Sequence, residues 1–231
     1  IFPYVLAIRD LASGYQILWQ PVRDGTARPV LDALTRLFTI HGAPLVLKSD
    51  NGSAFIDGDV RNLLRTFEVF QLYSPPRTPR YNGSIEAGIG SLKTRTERQV
   101  NARTSLGPSP SAGEGLGEVQ AAWTSTDVAA AQDEANAQPK GRRKGPSRAE
   151  VWAGRPIITV EERATFREDY RREEGTARQE KDYPDGPLNR PKQAALDRIA
   201  LRRAMLARGY LEFRRRLIYP PIKRKKCDTT G

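Results

Sequence analysis

The chain has 231 residues, a net charge of +11 and one cysteine, Cys227. That length suffices for one sizeable core with appendages or for two small domains. The lone cysteine excludes an internal disulfide framework and a cysteine-rich zinc site, and no apolar run reaches the roughly 18 residues of a membrane span.

The N-terminal stretch "IFPYVLAIRDLASGY" has no basic start and is interrupted by Arg9 and Asp10, which excludes a signal peptide. A soluble, cytoplasmic protein is expected, nucleoid-associated if the source is bacterial. The chain starts at Ile1 and its only methionine is Met205, so further sequence is expected upstream. Residues 3–9 and 15–22 are β-rich runs flanking "DLASG", a hairpin signature. In "TARPVLDALTRLFT", Val30, Leu31, Leu34, Leu37 and Phe38 share one helical face, and "HGAP" then ends the helix.

"LVLKSD" reads as a strand that runs into a tight turn, Asp50-Asn51-Gly52-Ser53, with Gly52 expected at positive φ. "DGDVRNLLRTF" is an amphipathic helix opened by Asp57 or Asp59, and "EVFQLYS" is a further strand. The Pro/Arg loop "PPRTPRYNG" leads into a helix from about Ser84 to Asn101. The order is β-β-α-β-α-β-loop-α, a mixed α/β layer fold.

Residues 107–118, "GPSPSAGEGLGE", read as a linker, and helices are expected beyond it. Thr124 or Ser125 caps the first. Ser147 with Glu150, and Thr159 with Glu162, have capping-box spacing. Pro191 sits near the start of the last helix, which ends at Gly209. The tail holds ten of the 38 basic residues in its final 31 positions, against two of the 27 acids. That density fits a polyanion partner, usually nucleic acid, or else a solubilising tail.

Asp50 at a strand tip and Glu86 in the first turn of a helix are separated by 35 residues, and folding can bring them together. Two close carboxylates stay charged only with a cation between them, and hard oxygen donors suit Mg²⁺ or Mn²⁺. Paired ions of this kind serve in-line displacement at phosphorus. Lys93 lies on the same helical face as Glu86, with Arg95 following, and either could hold a phosphate or be an ordinary solvated charge. Taken alone, "DNG" is as consistent with a simple turn. His41, the only histidine, sits in a helix-to-strand corner where a turn or packing role is expected.

"SDNGSAF", followed by "YNGSIE" with its Glu 35 residues beyond the first acid, resembles the catalytic core of retroviral integrases and DDE transposases of bacterial insertion sequences. "DLASG" in the hairpin, "AAWTSTDVAAAQDEANAQP" and "GPSRAEVWAGRP" are similar to stretches of the same family, and together they span roughly residues 3–165. The resemblance implies a ribonuclease-H-like mixed sheet flanked by helices, followed by a mainly helical, basic C-terminal extension. It implies a catalytic core over residues 1–106, the linker, a helical end of the core over 119–165 and the extension over 166–231.

The activity it implies is metal-dependent cleavage and strand transfer of DNA, with no covalent protein intermediate. Asp50 and Glu86 would be catalytic and metal-binding, with Mg²⁺ or Mn²⁺ as cofactor. DNA contacts are expected from Lys93, Arg95, Arg77, Arg80, Arg214, Arg215, Arg216, Lys223, Arg224, Lys225 and Lys226, and the partners are DNA ends, target DNA and further copies of the chain. The family carries a third acid on the strand before the hairpin. Asp10 instead occupies the hairpin turn, where Asp is a common turn former, so the first acid is expected upstream of Ile1. A remnant that only binds DNA, or a nuclease of the same fold, remains an alternative.

Overall fold

Residues 2–76, 78–105, 122–140 and 144–212 are described in the computed structural model of the protein. The linker, Arg77 and the basic tail from residue 213 lie outside these residues. The first elements are β1 (Tyr4–Arg9) and β2 (Gln16–Val22), an antiparallel hairpin with a register shift between Ile8 and Arg9. Asp10 closes its turn: its Oδ2 accepts from Ser13 N and Ser13 Oγ, both at 2.6 Å. β3 (Val46–Ser49) and β4 (Phe70–Tyr73) form a second, parallel pair. Among the described residues β1 and β3 do not pair, so the fold holds two two-stranded sheets.

Alternation along the strands divides the core between two faces. Leu6 and Ile8 of β1 and Leu47 of β3 join the cluster of Val30, Leu34, Phe38, Val60 and Leu64. Those buried residues belong to α1 (Ala27–His41) and α3 (Gly58–Thr66). The intervening residues face the other way. Val5 and Ala7 pack with Leu92 of α4 (Gly83–Ser105) and Val128 and Ala131 of α5 (Ser125–Asn136). Val46, Phe70 and Leu72 pack with Phe166 and Leu201, from α7 (Val160–Glu180) and α8 (Arg190–Ala207). Burying each such side chain is worth about 1.5–3 kcal/mol. The boundary expected at 165–166 falls inside α7, whose Phe166 is fully buried against the β3–β4 sheet.

Polar side chains of α5 occupy the outer edge of β2. Asn136 exchanges bonds with Gln16 (2.8 and 3.0 Å), and Gln132 accepts from Trp19 N at 3.1 Å. An open sheet edge is thereby satisfied. The short α6 (Arg148–Ala153) opens with the capping box of Ser147 and Glu150. Its Trp152 stacks on Tyr15 at 5.3 Å, meets His41 edge-on at 5.6 Å and lies under the Arg155 guanidinium at 3.4 Å. Packing is therefore what His41 does. Thr159 caps α7 by accepting from Glu162 N, without the reciprocal bond that its spacing predicts.

Candidate carboxylate site

Asp50 follows the last residue of β3, and Glu86 lies in the first turn of α4; both are exposed. Neither has an ion-pair partner among the described residues. Asp50 Oδ1 accepts from Gly52 N at 2.9 Å, which orients the carboxylate. Gly52 does not take the positive φ that a tight turn predicts: φ is −58° and ψ is 146°. The chain instead passes into a short helix, α2 (Ser53–Ile56), with Gly52 as its N-cap. A Cβ at position 52 would stand 2.9 Å from Asp50 Oδ1, so a larger residue there would move that carboxylate.

A buried polar network joins the strand tips to the start of α4. Ser74, immediately after β4, is 4 % exposed. Its N–H bonds Ser49 O at 3.0 Å, continuing the β3–β4 ladder past its last registered pair. Its Oγ is 2.6 Å from Asn82 Oδ1, and its carbonyl accepts from Asn51 Nδ2 at 2.8 Å. Asn82 closes a 3-10 turn over Pro79–Asn82 that leads directly into α4. Asn51 next to Asp50 and Asn82 four residues before Glu86 thus meet on one serine.

Lys48 adds a second tie. Its ammonium lies over the Tyr81 ring at 4.0 Å and donates to Tyr81 O. Partial burial lowers the Lys48 ammonium from its ordinary pKa, and burial raises the Tyr81 phenol against the opposing pull of Arg198 and Arg202. A third tie comes from the hairpin, where Arg9 Nη1 donates to Ser84 O at 2.5 Å. α4 can approach that closely because Gly88 faces the hairpin, where a Cβ would be 3.2 Å from Gln16 Oε1.

The buried face of α4 is Gly88, Leu92, Thr96 and Val100, which leaves Glu86, Ile89 and Lys93 on the exposed side. Arg95 turns the other way. With 17 % of its side chain exposed, it pairs with Glu134 of α5, which Arg98 also reaches at 3.2 Å. Its charge is neutralised within the fold, and Lys93 is the described cation on the side of Glu86. Arg80 lies in the 3-10 turn. Arg77, Arg214, Arg215, Arg216, Lys223, Arg224, Lys225 and Lys226 lie outside the described residues. Ser74 and Lys48 escaped the sequence reading because nothing local marks them.

No helix among the described residues is long and apolar enough to cross a membrane. No family model and no curated protein matches the chain. Solved structures do. A chain of the simian T-cell lymphotropic virus intasome, solved in complex with PP2A regulatory subunit B56 gamma, matches 68 % of this chain with a TM-score of 0.52 at 14 % identity. The match spans only 54 % of that chain. The HTLV-2 integrase catalytic core domain, solved in complex with magnesium in a dimeric form, matches 64 % of this chain and 82 % of its own with a TM-score of 0.47 at 14 % identity. The BIV integrase catalytic core domain gives 64 % and 84 %, 0.47 and 19 %. At such identities the likeness is one of architecture, and the chain has an integrase-like fold.

Proposed function

We propose that the chain is a DDE-type polynucleotidyl transferase that cleaves DNA and joins the freed 3′-hydroxyl to a target phosphodiester, on a ribonuclease-H-like core. The observation that carries this reading is the pair Asp50 and Glu86. Both are exposed and, among the described residues, without an ion-pair partner, and the elements that bear them are joined through Ser74. The simian virus intasome chain supports it at the level of fold.

The donor chemistry fits a divalent ion. Two carboxylates are the hard oxygen ligands that Mg²⁺ or Mn²⁺ prefers, with water and phosphate oxygens filling the shell. Among the described residues no three His, Cys, Asp or Glu side chains gather into a cage, and Asp50 and Glu86 would act as an open pair of ligands. Such an ion, when bound, supplies Lewis-acid stabilisation at phosphorus and acidifies the attacking oxygen.

The chain's own groups orient and hold the substrate. Gly52 N–H fixes one Asp50 oxygen and leaves the other open. Lys93, two turns along from Glu86, is placed to hold a DNA phosphate. Arg77 and Arg80 of the Pro/Arg loop, and Arg214, Arg215, Arg216, Lys223, Arg224, Lys225 and Lys226 of the extension, act as phosphate contacts that position DNA without reading its sequence. The N-terminal part of the chain is the catalytic unit, the basic C-terminal part the DNA-holding extension, and the working form is a homo-oligomer.

The test incubates the chain, extended upstream by the sequence expected to carry the first acid, with labelled duplex DNA and Mg²⁺ or Mn²⁺, alongside Asp50→Asn and Glu86→Gln. Cleaved and joined products that both substitutions abolish are the expected result. Cleavage that survives either substitution overturns the assignment. Cleavage without joining makes the chain a nuclease, and binding without cleavage makes it a DNA-binding remnant.

A further inference from the structure

Apart from the carboxylates, a concave surface lies between α3 and the α7–α8 hairpin, a cleft of about 500 Å³ lined by Phe70 and Tyr73. Its rim carries Arg61 and Arg65 from α3 and Arg167 and Arg171 from α7. Each pair is spaced i, i+4, so its two Cβ atoms lie about 5–6 Å apart on one face of a helix. The cleft is therefore bordered by two rows of regularly spaced cations.

Few of these charges are neutralised. Arg167 pairs with Glu68. Arg65 reaches only the Asn62 amide oxygen at 3.0 Å, and Arg61 only the Asp57 carbonyl at 3.4 Å. Arg171 has no acidic partner among the described residues. The one other acid lining the cleft is Asp197, held by the Tyr170 hydroxyl at 2.9 Å and the Gln193 amide at 2.8 Å. A concave surface with uncompensated guanidiniums focuses a positive field and collects anions.

Position identifies the anion. Tyr73 lies under Arg190 at 5.6 Å and directly precedes Ser74, the residue that binds Asn51 and Asn82. Gln71, which also lines the cleft, donates to Phe55 O of α2 at 2.7 Å, five residues from Asp50. One end of the cleft therefore adjoins the elements that carry the two carboxylates.

We propose that this cleft is a nucleic-acid channel, in which the phosphates of one DNA strand lie along the Arg61/Arg65 and Arg167/Arg171 rows and the strand continues toward Asp50 and Glu86. The inference rests on the phosphodiester reading above for the identity of the polyanion. It adds a binding surface in α7 and α8 that no motif in the sequence marked.

The test titrates labelled duplex DNA against the full chain at several salt concentrations, without added metal, so that binding is read apart from turnover. The variants are Arg61→Glu/Arg65→Glu/Arg171→Glu and the same three positions changed to Lys. All three side chains are exposed, and melting curves check the fold. The Glu variant should bind about 10- to 100-fold more weakly, with a salt slope shallower by about 3, because some three phosphate contacts are lost. The Lys variant should recover most of the affinity. In the cleavage assay the Glu variant should raise KM for DNA more than it lowers kcat.

Equal affinity in wild type and the Glu variant overturns the channel while leaving the phosphodiester reading intact. Displacement of DNA from the wild type by polyglutamate at matched charge overturns the nucleic-acid assignment in favour of an acidic protein segment. No DNA binding by the wild type at low salt overturns both readings together.

Discussion

Ser74 Oγ lies 2.6 Å from Asn82 Oδ1 and 3.0 Å from Ser49 O, in a pocket where Ser74 is 4 % exposed. A hydroxyl has one proton, so it serves one acceptor at a time while Ser74 N–H also bonds Ser49 O. The bond to Asn82 is the shorter and couples the start of α4 to the strand tips. Ser74→Ala should cost about 1–2 kcal/mol by leaving Asn82 short of a donor. It should lower cleavage more than DNA binding, because Glu86 loses its reference to Asp50. Thermal melts and a split of kcat from KM check this; a variant with wild-type kcat would remove Ser74 from the positioning network.

Gly52 separates the two requirements, fold and site. Its φ of −58° and ψ of 146° suit alanine, so Gly52→Ala should leave stability unchanged or raise it by up to about 1 kcal/mol through a stiffer unfolded chain. The new Cβ would displace Asp50 Oδ1 from 2.9 Å, and a shift of that kind can cost on the order of 10²-fold in rate. Unimpaired cleavage by a well-folded Gly52→Ala would show that the orientation of the Asp50 carboxylate does not matter.

Trp152 has a structural task. It lies between Tyr15 and Arg155, and Arg155 also donates to Trp152 O at 2.7 Å and His41 O at 3.3 Å, which ties α6 to the hairpin turn and the end of α1. Trp152→Ala should destabilise by about 2–4 kcal/mol, and Trp152→Phe by clearly less because a stacked ring remains. Denaturant midpoints measure the difference; equal losses for Ala and Phe would count against stacking as the cause.

Asp197 gives a pH signature. Burial raises its pKa above the ordinary 3.8, against the lowering effect of the Gln193 and Tyr170 hydrogen bonds, with Glu174 adding to the rise and Arg198 opposing it. A carboxyl raised on folding stabilises the native state below its unfolded pKa, and that contribution is lost as pH climbs through the folded value. As pH rises above the ordinary carboxylate range, Asp197 therefore costs stability. Asp197→Asn, which keeps an acceptor for Tyr170, should raise Tm near neutrality, and the gain should vanish at acid pH below the ordinary carboxylate value. A gain that persisted into acid would point to packing instead of charge.

The secondary structure was largely legible in the sequence because its signals are local. The hairpin turn at Asp10–Gly14, the Asp57 cap of α3, the Thr124 cap of α5 and the capping box at Ser147 each depend on residues within a few positions of one another. Asp50 and Glu86 were singled out by a spacing that resembles a known core. The α2 turn of helix was missed because "DNGS" has equal claim to a plain turn, and steric demand at Gly52 cannot be separated from a φ demand without coordinates.

What only the tertiary structure decided are relationships between residues far apart in the chain. Arg95 and Lys93 are two positions apart on one helix, yet one is spent on Glu134 and the other is exposed, because their side chains point to different neighbours. Ser74 acquires its role by standing where β4 ends beside β3, and the four cleft arginines become one surface only when α7 and α8 pack on the β3–β4 sheet. Local patterns encode backbone conformation through propensity and capping. Through-space contacts arise from burial of Phe166, Leu72 and Leu201 against one another, and no short window of sequence contains all three.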